Sequence, residues 1–242
     1  MGCTYPPQNA GHVAQAVRPD NYHALTDTSS YHVVAIDYRG FGHSTGVPSE
    51  AGLIEDSSAL VEWAINVAGI PPERIVLLGQ SLGTAVVAGV AERYADQGVE
   101  FAGIVLVAGF SDLATMLNEY RIGGMLPVLA PLRLWPSLQK FTHRFVVDKW
   151  HSADRLASIV RATKSRLRLN LIHAKDDLDI PWTEDNKLFK AAANELLKFS
   201  DEEFDDWKQT QTNRKSDDAF VITWRAEPNI IVRQELFPYG GN

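Results

Sequence analysis

Hydrophobic positions along the chain fall into two kinds of run. Short, nearly continuous apolar runs occupy residues 32–37, 74–78 and 101–108. Between them lie longer stretches, 51–67 and 82–97, whose apolar residues recur at helical spacing. Further on, residues 167–172 read as a strand, 183–198 as a helix and 230–236 as a last strand. Alternating strands and helices predict βαβ units around a mostly parallel sheet, and so an α/β fold class. Because the strand runs lack apolar–polar alternation, helices are expected on both faces of that sheet. No internal repeat interrupts the pattern.

Two segments break the rhythm. Residues 109–163 carry aromatic and apolar side chains together with Pro127, Pro131 and Pro136, and are expected to form a cap over the sheet's edge. Residues 200–220 crowd Asp201, Glu202, Glu203, Asp205 and Asp206 ahead of a polar run, and are expected to be a solvated acidic insertion. A chain of 242 residues suffices for one sizeable core, so a single domain carrying these two insertions is expected.

Charge narrows the range of partners. A formal net charge of −7 without a basic cluster argues against nucleic acid, because phosphate-binding surfaces need grouped Lys and Arg. The substrate is expected to be a small neutral or apolar molecule. The single cysteine, Cys3, allows no internal disulfide, and the histidines lack the paired spacing of a zinc ligand set. No metal or cofactor is expected. The apolar runs are too short to cross a bilayer, the start lacks the profile of a secretion signal, and Pro6 stands where an N-acylation motif needs Ser or Thr. Oligomeric state is left open.

Candidate chemistry centres on Gly79-Gln80-Ser81-Leu82-Gly83, which follows an apolar run and precedes a helical stretch. That context makes it a G-x-S-x-G nucleophile elbow, a sharp strand-to-helix turn that lifts a serine hydroxyl clear of the sheet. A serine is a poor nucleophile near neutral pH and needs a general base oriented by an acid. Residues 171–181 follow a strand and carry Asp176, Asp177 and Asp179 where a loop would leave the sheet's C-terminal edge. Turn and helix-capping roles account for Asp176 and Asp179 without chemistry.

The segment Ile36-Asp37-Tyr38-Arg39-Gly40-Phe41-Gly42-His43-Ser44, the elbow at Ser81 and the segment from His173 to Pro181 together resemble the α/β-hydrolase superfamily. Within it they are similar to serine hydrolases of the monoacylglycerol-lipase and lysophospholipase type, with serine aminopeptidases sharing the pattern. The resemblance covers most of the chain. It implies Ser81 as nucleophile and Asp177, four residues after His173 and four before Pro181, as triad acid. It leaves His173 structural. It also implies an oxyanion hole built from the backbone N–H of Leu82 and a second donor at Asn9, in Pro7-Gln8-Asn9-Ala10-Gly11. Relatives need no cofactor, and they are often associated with endoplasmic reticulum membranes, otherwise cytoplasmic.

The chain departs from the family at both ends. The family's base is a histidine after the last strand, and here no histidine follows His173. Truncation is therefore expected, with the third strand and the C-terminal helix missing, marginal stability and impaired turnover. The expected function is hydrolysis of a lipid-type carboxylic ester, such as a monoacylglycerol or lysophospholipid, through a Ser81 acyl-enzyme. Alternatives are an inactive hydrolase-fold fragment or binding module, and a serine peptidase. Residues 122–135 are apolar enough to line an acyl pocket, to touch a membrane peripherally or to pack on the core.

Overall fold

The computed structural model describes residues 2–4, 12–15, 18–113, 121–122, 126–127, 148–216 and 218–240. In chain order these form β1 (Gly2–Thr4), α1 (Arg18–Asp27), α2 (Glu50–Asn66), β2 (Val76–Gln80), α3 (Leu82–Ala95) and β3 (Gly103–Val107). There follow β4 (Arg121–Ile122), β5 (Leu126–Pro127), α4 (Ser152–Ala162), β6 (Leu167–Ala174) and α5 (Thr183–Leu197). The last elements are α6 (Asp201–Gln211), β7 (Asn213–Ser216), β8 (Ala219–Ala226) and β9 (Ile230–Phe237).

One sheet orders its strands β1-β2-β3-β6-β9-β8-β7. From β1 to β9 every pairing is parallel, and β8 and β7 close the far edge antiparallel. The mostly parallel sheet with flanking helices is the expected α/β-hydrolase architecture. Helices α2, α3, α4 and α5 pack side by side, with α3 on β2 and β3 and α5 on β6 and β9. Small residues make that layer close-fitting: a Cβ on Gly89 of α3 would stand 2.4 Å from Ile54 Cδ1 of α2. Along β6 and β9 buried and half-buried residues alternate. Leu169, Leu171 and Val232 lie fully under the helices, while Arg168, Asn170, Arg233 and Glu235 on the other face keep contact with solvent.

Four further expectations meet a different structure. Residues 32–37 join no ladder among the described residues, because the place beside β2 is held by β1, whose three residues leave little edge for a further strand. The same finding corrects the expectation of a missing third strand: Gly2, Cys3 and Thr4 pair with Leu77, Leu78 and Gly79. Residues 152–162, assigned to the cap, form α4 in the helical layer, with Leu156, Ile159 and Val160 buried. Most of residues 114–147 lies outside the described residues.

The acidic stretch 200–220 is not merely solvated. Ser200 and Glu203 form a capping box at the start of α6, whose first-turn carboxylates suit the positive end of a helix. Phe204 is buried against Phe189 of α5, and Trp207 stacks on the same ring. Strand β8, missed from the sequence, fills the sheet between β9 and β7.

Candidate active site

Parallel pairing brings the C-terminal ends of four strands to one edge. Gln80 is opposite Val107, Val107 opposite Ile172, and Ala174 opposite Phe237. The residues that follow each strand therefore face one another, and this is the edge where α/β sheets gather reacting groups. Ser81 follows β2, and the loop from Lys175 to Pro181 follows β6, two strands away and so about 10 Å apart at ordinary strand spacing.

The elbow is strained as its motif predicts. Ser81 has φ 52° and ψ −124°, outside the regions a non-glycine residue favours. Its N–H donates to the Val107 carbonyl at 2.9 Å, and its own carbonyl accepts from the Thr84 N–H and hydroxyl at 2.9 and 2.6 Å. Glycine is required at 79, where a Cβ would fall 2.3 Å from the Gly83 carbonyl oxygen. Among the described residues the Ser81 hydroxyl has no hydrogen-bond partner. Leu82 opens α3, so its N–H has no acceptor within the helix and sits at the helix's positive end. Ala108 after β3 has φ 52° as well, so two strained non-glycine residues flank the same edge.

Asp177 is held rigidly. Its Oδ1 accepts the N–H groups of Asp179 and Ile180, both at 2.9 Å, and its Oδ2 lies 3.6 Å from His173 Nε2. Burial pushes the Asp177 carboxyl up, but the His173 contact and the two N–H groups outweigh it and hold the group below the usual carboxylate range. Burial raises Asp179, and Asp177 beside it adds to the shift. Asp176 accepts the Gly240 N–H at 2.9 Å and so fastens the segment after β9. This is a tie between distant segments, in place of the turn or helix-capping role expected of Asp176.

At this edge lies a cavity of about 460 Å³, lined by Asp177, Ile172, Ala108, Phe237, Tyr239 and Gln80 among others; Gln80, the residue before Ser81, is its contact with the elbow. His173 also lines it, but its side chain is buried and its Nε2 is engaged with the Ile180 carbonyl at 2.9 Å. His12 and His43 lie on neighbouring loops with ring centroids 6.5 Å apart, away from the cavity's lining. The loop at 37–44 is a structural clamp: Arg39 bonds Asp56 and Glu55, and Asp37 accepts the Val13 N–H at 2.7 Å. Asn9 and the residues around it lie outside the described residues, as does most of 122–135. Sequence reading missed Glu184 and Asp185, two fully buried carboxylates in the first turn of α5. Their signal was an acidic pair directly after Pro181-Trp182-Thr183, which reads equally as ordinary helix-start chemistry.

Comparison with known proteins agrees with this architecture. The profile of the serine aminopeptidase S33 family matches residues 20–168. An uncharacterised protein, YfhR of Escherichia coli, is 31% identical over 163 residues, covering 67% of this chain and 49% of that protein. The lysophosphatidylserine lipase ABHD12 of Danio rerio is 30% identical over 186 residues, covering 76% of this chain and 45% of the relative. The chain thus spans about half the length of the curated relatives it matches. An alpha-beta hydrolase from Vibrio vulnificus superposes with a TM-score of 0.58 at 18% identity, over 79% of this chain and 62% of the other.

Proposed function

Because the chain belongs to the serine aminopeptidase S33 family of the α/β hydrolases, we propose that it is a serine hydrolase of carboxylic esters of the lipid type. The observation that carries the reading is the Ser81 elbow, strained at φ 52° at the start of a helix, with Gln80 before it and Asp177 lining one cavity. In this reading Ser81 Oγ attacks the acyl carbon and the Leu82 N–H receives the developing oxyanion, with Asn9 as the second donor. Loss of the alcohol leaves an acyl-enzyme that water then hydrolyses. Asp177 is the acid that orients a base. The lipid-type substrate is supported by the named activity of the zebrafish relative and by the apolar side chains of Ile172, Phe237 and Tyr239 at the cavity.

A second reading, a binding module that keeps the pocket without turnover, is favoured by one observation. Among the described residues the histidine against the cavity is His173, which is buried and committed to Ile180 and Asp177. The same family includes peptidases, so an amide substrate is a third outcome.

Labelling with a fluorophosphonate probe, which reports an activated serine, separates these readings when run on the chain and on Ser81→Ala. Labelling that disappears in Ser81→Ala supports the hydrolase, and a panel of short esters, long-chain esters and aminoacyl amides then assigns the substrate class. An unlabelled chain that still binds a long-chain acyl ligand favours the binding module.

A further inference from the structure

The loop that carries Asp177 is braced from behind by a buried charge cluster that the proposed reaction does not use. The His173 side chain is fully buried, and each ring nitrogen faces an acceptor. Nε2 is 2.9 Å from the Ile180 carbonyl oxygen and 3.6 Å from Asp177 Oδ2, while Nδ1 is 3.5 Å from Asp185 Oδ1. A carbonyl oxygen can only accept, so Nε2 carries a hydrogen. Asp185 is itself fully buried, and neither of its oxygens makes a conventional hydrogen bond among the described residues. Bare lone pairs facing each other across 3.5 Å in a dry site would leave both groups unsatisfied, so a proton lies between Nδ1 and Asp185.

Burial and the neighbouring Glu184 carboxylate push Asp185 up, while His173 and Lys208 oppose them and favour the ionic form of that pair. Glu184, also fully buried, is occupied by the Ser111 N–H and hydroxyl at 2.8 and 2.6 Å and by Lys187 at 2.5 Å. Lys208 of α6 stabilises a negative Asp185 while bonded to Asn186 Oδ1 and Gln234 Oε1 at 2.6 and 2.7 Å. With Asp177 and Asp185 these are the charged groups near the imidazole among the described residues, from the loop after β6, α5 and α6.

We propose that Asp185 is a positioning residue for the candidate acid Asp177, acting through a doubly protonated His173 whose Nε2–H draws and orients Asp177 Oδ2. The inference rests on the reading of Asp177 as the triad acid. Asp177 is then fixed on both oxygens, by two backbone N–H groups on Oδ1 and by the imidazolium on Oδ2. Its carboxylate is thereby kept ionised and aimed by the protein's own groups.

NMR of the full chain labelled with ¹⁵N-histidine and ¹³C-aspartate tests this, with His173→Gln and Asp177→Asn assigning the signals. His173 should show both nitrogens protonated at neutral pH. Asp185→Asn should remove the Nδ1 proton and move the Asp177 carboxyl titration up by about one pH unit. A singly protonated His173 in the wild-type chain overturns the inference, as does an unchanged Asp177 titration in a folded Asp185→Asn. Where Asp185→Asn does not fold, the wild-type His173 spectrum decides. Fluorophosphonate labelling is read separately. A doubly protonated His173 with an unlabelled Ser81 supports the brace and removes only the hydrolase reading, whereas a labelled Ser81 with a neutral His173 removes only the brace.

Discussion

Gly79 and Gly83 meet so closely that a methyl group on the first would stand 2.3 Å from the carbonyl oxygen of the second. Strand β2 and helix α3 are therefore joined at a separation no side chain permits, and this contact sets the backbone angles of Ser81 between them.

Gly79→Ala should destabilise the chain by about 1–3 kcal/mol, the usual range for overpacking, and should displace Ser81. Urea unfolding and fluorophosphonate labelling read the two effects. A parent-like midpoint in the variant would show that the elbow has more room than the distance allows.

Phe204→Ala should cost about 3–5 kcal/mol, because the ring is 1% exposed and packs against both Phe189 and Trp207. Glu202→Ala, on the exposed side of the same helix, should change little. If thermal melts of the two variants coincide, α6 does not contribute to the core.

Stability should pass through a shallow minimum near pH 8 to 9. Burial alone would lower His173, but Asp177 and Asp185 outweigh it and raise the imidazole from its ordinary 6.5 to about 9 in the folded chain. The folded chain thus keeps a proton that the unfolded chain has released, and the stability this gives is complete below about pH 6.5 and lost as the pH rises through about 9. Lys208 acts in the opposite sense. Burial lowers it to about 8 from 10.5, with Asp185 and Asp205 opposing, so stability recovers as the pH rises from about 8 towards 10. Urea midpoints between pH 6 and 10.5 should trace the dip, and Lys208→Met should remove the recovery on its alkaline side.

Much of the site was legible because it is local in sequence. The elbow declares itself within five residues, since Gly79, Ser81 and Gly83 each answer to one tight turn. Asp177 is likewise fixed by neighbours within four residues, His173, Asp179 and Ile180. What escaped is tertiary. Residues 32–37 have the composition of a strand, but a strand exists only where another edge is free, and β1 had taken the place beside β2. Asp185 looks like any acidic residue in a helix's first turn until folding sets it 3.5 Å from an imidazole. In β8 the alternating Phe220, Ile222 and Trp224 were a period-2 signal overshadowed by the acidic run before them.

The parallel order of the sheet also has a consequence in time. Strands β8 and β9 are a hairpin, with Ala226 paired to Ile230, and β2, α3 and β3 are one contiguous unit, so each closes through short loops. By contrast β3 must find β6 across the whole segment between Ile104 and Leu169, and β1 must find β2 from Gly2 to Leu77. Long-range parallel pairing is the slow step in such topologies. Ser81 belongs to the early unit and Asp177 to the loop that arrives with β6, so the expected order assembles the elbow first and completes the candidate pair last. Pulse-labelled amide exchange during refolding would show it as protection in β2 and α3 ahead of the β3–β6 seam; simultaneous protection would mean that both halves form in one event.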